Sequence, residues 1–147
     1  MNAEQFHLIL KDLAKVAGLA DPALLVDQCR VRVGGMNVVL EHSPDENPDV
    51  LFVRAHLGRL EEKHRALITT VLLETNFVNG WGGIRVFSLV PQTDQVVLTV
   101  STPLLAATTA HDLWQVLSDV ASQGGTMWSQ ITAAADTAQE MSFSSAA

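Results

Sequence analysis

Any chemistry in this chain would have to come from five histidines, one cysteine and a few carboxylates. His7, His42, His56, His64 and His111 are scattered, and no two stand at the four-residue spacing that presents a zinc-binding pair on one helix face. His56 and His64 fall across a strand end and a helix start, so their separation fixes no shared geometry. Cys29 lacks the second cysteine of a redox or metal pair; it opens an alternating segment on the apolar side and reads as a buried, inert thiol. Neither a Gly-x-Ser-x-Gly nucleophile elbow nor a phosphate-binding loop is present. Asp45-Glu46-Asn47-Pro48-Asp49 imitates the first half of a calcium loop. Val50 then replaces the turn glycine and His56 the bidentate glutamate, which leaves an ordinary solvated loop. Gly80-Trp81-Gly82-Gly83 has glycines without phosphate-loop spacing and reads as a turn entering a strand. The expectation is a protein with no catalytic residue, no metal and no cofactor.

Composition narrows the class further. Sixteen acidic against nine basic side chains give a net charge of −7, and the basic residues are dispersed. Nucleic-acid binding needs clustered cations, so it is not expected. Apolar residues make up 48% of the 147, enough for one packed domain, expected over residues 1–135. The Ser/Ala-rich residues 136–147 read as a flexible tail. A lone cysteine cannot form an intramolecular disulfide, there is no apolar run of ~20 residues, and the first residues lack a signal-peptide layout. A cytoplasmic protein without a membrane partner is the expectation.

The elements that would position any site follow from periodicity. Residues 3–17 predict a helix capped by Asn2 and Gln5 and stopped at Gly18, with Phe6, Ile9, Leu10, Leu13, Val16 and Ala17 on one face. Leu8 is off that face, between Lys11 and Lys15. Cys29 to Val33 alternates, Gly34-Gly35 turns the chain, and residues 37–41 return as a second strand. Residues 50–57 make a third strand ended by Gly58. Residues 60–78 are helical with two apolar stripes, the second formed by Ala66, Thr70, Leu73 and Phe77. A helix apolar on two sides packs against two bodies, here its own sheet and a second copy of the chain.

Residues 84–90 and 95–100 make a hairpin that is apolar on both faces. Ile84, Val86, Val96, Leu98 and Val100 are assigned to one face, and Phe87, Leu89 and Val97 to the other. A sheet with one face in water alternates more cleanly, so something is expected to cover the second face. The last helix begins at the Thr109-x-x-Asp112 box and keeps its apolar phase through Gly124-Gly125 to Ile131, with Gly124 admitting a second backbone. The order αβββαββα predicts an α+β domain, a mainly antiparallel twisted sheet flanked by helices, assembled as a homodimer.

This order of elements resembles the CesT/Tir family of class I type III secretion chaperones over about residues 6–131. The resemblance rests on the first helix ending in Gly18-Leu19, on Cys29-Arg-Val-Arg-Val33 with its glycine turn, and on Leu72-Leu-Glu-Thr-Asn76, similar to the family's Leu-Leu-x-Ala-Asn. Gly83-Ile-Arg-Val-Phe-Ser-Leu89 and Trp128 in the last helix extend it. Ser88-Leu89 departs from the family's frequent Leu-Asp, and Gly124-Gly125 from an Ala/Glu pair. The resemblance implies a small acidic cytoplasmic dimer that binds the extended N-terminal region of a secreted effector and releases it at the secretion ATPase, without cofactor or ATP hydrolysis. Leu8, Phe87, Leu89 and Val97 are the candidate client-binding residues; Ala66, Thr70, Leu73 and Phe77 are the candidate dimer interface. The alternatives are a small-molecule-binding domain or enzyme using a helix–sheet pocket, for which no convergent polar groups are visible, and a dimeric regulatory subunit.

Overall fold

The computed structural model describes residues 1–79 and 85–146. Helix α1 (Ala3–Val16) begins with the expected reciprocal cap: the Gln5 amide donates to Asn2 Oδ1 at 2.8 Å and the Asn2 amide to Gln5 Oε1 at 3.0 Å. It buries Phe6, Ile9, Leu10, Leu13 and Ala14, while Val16 is exposed. Helix α2 (Ala23–Gln28) follows and leads into β1 (Arg30–Val33), β2 (Met36–His42) and β3 (Val50–Arg59). After a 3-10 turn over Glu62–His64 come α3 (Arg65–Asn79), β4 (Arg85–Leu89), β5 (Gln95–Pro103) and α4 (Ala110–Ala146).

All strand pairs are antiparallel, in the order β1-β2-β3-β5-β4. The α+β class and the antiparallel sheet agree with the sequence pattern. The additional helix α2 does not: it is six residues long and buries only Leu25, too little to print a helical period. Cys29 belongs to its end, not to the strand, with φ of 54° as the left-handed cap. The glycine-rich residues 80–83 and Ile84 lie outside the described residues.

Register assigns the two faces. Val53 pairs with Val100 and Leu40, and Ala55 with Leu98 and Val38, so these side chains form one apolar face. Helix α4 lies on it: a Cβ at Gly124 would stand 3.0 Å from Leu57 Cδ2 and 3.5 Å from Leu98 Cδ2. The glycine thus admits side chains of the sheet, where a second backbone had been expected. Helix α4 is continuous through both glycines, as its phase predicted, and starts with Thr109 and Asp112 bonded reciprocally.

Strand β3 continues past Gly58, where the sequence had suggested its end, through a bulge between His56 and Gly58. The indole of Trp128 occupies the space that a Cβ at Gly58 would need, with Nε1 2.6 Å from that position. Helix α4 also continues to Ala146, so the segment expected as a flexible tail is helical. His64, 5% exposed, bonds Asp136 through Nε2 and Oδ1 at 2.6 Å and ties α4 to the start of α3.

Candidate functional site

The sheet face opposite α4 carries the residues that alternate with the core. Arg30 pairs with Val39, Val39 with Arg54 and Arg54 with Thr99; on the neighbouring row His56 pairs with Val97 and Val97 with Ser88. Arg30, Arg32, Asn37, Arg54 and Ser88 are exposed. Two depressions share Val39 and His56 and so form one trough: about 440 Å³ beside Leu24, Arg30 and Arg32, and about 340 Å³ beside Arg54, Leu89 and Val97. Arg54 on the trough wall forms an exposed pair with Glu41 at 3.0 Å.

The hairpin face assignment changes here. Phe87 pairs with Leu98 and Leu89 with Val96, so both project to the helix side, and only Val97 lies on the trough side. Phe87 is 4% exposed and part of the core beneath the helices, whereas Leu89 at the strand end reaches the rim. Val97, 3% exposed, is buried outside the main core as the trough floor. The sequence could not fix this because both hairpin strands are apolar at adjacent positions, which leaves the register unspecified.

A second groove, about 470 Å³, runs between α1 and α2 and is lined by Lys11, Ala14, Lys15, Leu19, Pro22 and Val26. Leu8 is 54% exposed and precedes Lys11 and Lys15 by one and two turns, which places it on the groove side of α1. The second stripe of α3 is also open: Ala66 and Thr70 are exposed, with Leu73 at 64% and Phe77 at 74%. On the other side of α3, Ile68 and Leu72 are buried.

The edge strands differ in their free backbone groups. Asn76 Nδ2 donates to the Phe87 carbonyl at 2.8 Å, and the Phe87 amide donates to Asn76 Oδ1 at 2.7 Å, closing part of the β4 edge. Among the described residues nothing pairs with the outer side of β1. Edge position is invisible in sequence, so Arg30, Arg32 and Val39 are not among the expected binding residues, and His56 is weighed only as a metal ligand. The one signal available was the alternation of arginine and valine beside a tight turn.

The titratable groups stay dispersed. Among the described residues no three His, Cys, Asp or Glu side chains are placed to hold a metal ion. Burial raises the Cys29 thiol above its ordinary pKa, which suppresses the thiolate. Burial first, and the Arg30 charge second, lower the His56 pKa. His42 packs against Phe6 with the rings tilted by 50° and centroids 4.7 Å apart, and reaches the Pro48 carbonyl at 3.1 Å, a structural placement. No helix among the described residues is long and apolar enough to cross a membrane.

An antiparallel sheet covered by helices on one face and open in a trough on the other defines an α+β fold. It is shared with a chain in the crystal structure of the ExsC-ExsE complex, with a TM-score of 0.68 and 17% identity, covering 89% of this chain and 97% of that one. No protein-family model matches the chain, and no curated protein matches it.

Proposed function

We propose that the chain is a cytoplasmic type III secretion chaperone of the class I kind, a homodimer that holds the extended N-terminal region of a secreted effector. The observation that carries this reading is the open sheet face with its free edge, in a fold shared with a chain of a two-protein complex. A client kept extended needs grooves for alternate side chains and a strand edge for its backbone, and needs no reactive group. Exposed Leu8 beside the α1–α2 groove, and Leu89 and Val97 in the trough, supply apolar surface, while Phe87 lies in the core under the same hairpin. The Ala66, Thr70, Leu73 and Phe77 stripe is the dimer seam. Residues 1–135 are the chaperone domain, which delivers its client to the secretion ATPase and performs no catalysis.

Co-purification with effector proteins shortened stepwise from the N-terminus tests the proposal. Loss of the complex once the first ~100 disordered residues are removed is the expected result. A chain that retains no secreted protein, or retains one equally well without its N-terminal region, overturns it.

A further inference from the structure

We propose that the β1 edge accepts a client strand with an acidic residue at every second position; this rests on the chaperone reading and adds a rule for which segments are held. The Leu40 amide donates to the Cys29 carbonyl at 2.8 Å, and β1 pairs Val31 with Val38 and Val33 with Met36. Antiparallel strands alternate inward- and outward-directed backbone groups. The inward groups are therefore those of Cys29, Val31 and Val33, and the N–H and C=O of Arg30 and Arg32 point outward. The side chains of these two arginines lie on the trough face and line its wall.

Their charges are unmatched. Arg54 pairs with Glu41, Lys63 with Glu61 and Asp136, and both Arg59 and Arg65 with Asp94. Arg30 and Arg32 have no acidic partner among the described residues, although the chain carries a net charge of −7. A strand added antiparallel to β1 would exchange both backbone bonds with each arginine, and the residues directly opposite would share the arginine face. Carboxylates there form charge-assisted bonds, while the residue between them turns toward the Val31 side and is best apolar. The segment selected is therefore acidic–apolar–acidic. A second copy pairing antiparallel through β1 would set arginine against arginine, so the edge also discriminates against self-association.

The test uses the whole protein and fluorescent eleven-residue peptides in which valine alternates with Glu, Gln or Lys, titrated by anisotropy. The Glu peptide should bind at least about tenfold tighter than the Lys peptide, and added salt should narrow the gap. Arg30→Glu with Arg32→Glu should invert the order, Arg30→Gln with Arg32→Gln should abolish it, and the Arg30 and Arg32 amides should become protected from hydrogen exchange in the complex. Equal binding of all peptides, binding of none, protection elsewhere, or self-association through β1 overturns the rule. Effector co-purification separates the two readings: a client held equally by wild type and the charge-reversed variant defeats the acidic rule alone, and absence of any client defeats the chaperone reading.

Discussion

Asn76 shows how a residue of a sequence motif acts through geometry. Its carboxamide both donates to and accepts from the backbone of Phe87, joining α3 to β4 at a half-buried position. Asn76→Ala leaves an amide and a carbonyl unpaired, and each costs about 1–3 kcal/mol where water cannot replace the partner. Because the site is only half-buried, we expect about 2 kcal/mol of destabilisation in urea unfolding. Asn76→Asp keeps an acceptor for the amide but turns a carboxylate toward the carbonyl, and should be at least as destabilising. Equal stability of Asn76→Ala and wild type would remove the latch. The Leu72-to-Asn76 resemblance marked this residue, but its partner was not legible, because Phe87 is reached across a tertiary contact. Cys29 was illegible as a helix cap, since its left-handed backbone serves a helix too short to register in the sequence.

At the scale of elements, periodicity located those with strong caps and one clear apolar face. Helix α1 and the start of α4 follow their capping boxes, and the continuity of α4 across Gly124 follows from the apolar phase on both sides. Beyond Ala135, serine and alanine suggested a loose tail and gave no sign of the helix that the structure places there. Asp136 supplies the missing contact by bonding His64 and pairing with Lys63 at 3.5 Å. The His64 bond first, and the Lys63 charge after it, hold the Asp136 carboxyl below the ordinary aspartate range. A carboxyl with a depressed folded pKa contributes stability that is present above its unfolded value and lost as pH falls through the folded one. The protection of α4 amides beyond Asp136 against hydrogen exchange, relative to their intrinsic rates, should therefore fall as pH drops through and below the ordinary aspartate range. Asp136→Asn should show fast exchange there already at neutral pH and lose the acid-dependent step. Unchanged protection in that variant would mean the end of α4 is held by other contacts.

For the whole molecule, the sequence pattern gave the two-sided character of α3 but could not distinguish an unpartnered face from one covered within the same chain. Leu73 and Phe77 are exposed in the single chain, so burying this face between two copies is the natural route to a dimer. Leu73→Asp should shift sedimentation from dimer to monomer, and a wild-type protein that is monomeric at micromolar concentration refutes the seam. The client surface calls for a variant that leaves both core and seam intact. Phe87 is unsuitable because it lies in the core, where a charge would unfold the domain at a cost of several kcal/mol. Leu8 is suitable: it is exposed on α1, contributes nothing to the buried face, and stands beside the α1–α2 groove. If a client side chain covers it, burying roughly 100 Å² of apolar surface contributes about 2–3 kcal/mol. Leu8→Glu should then weaken effector binding by about thirtyfold or more, with the melting temperature and the dimer unchanged. Leu8→Met, which keeps an apolar chain of similar volume, should bind as wild type does. Wild-type affinity in Leu8→Glu would move the client off this groove and onto the sheet trough alone, whereas a lowered melting temperature would assign Leu8 to the fold.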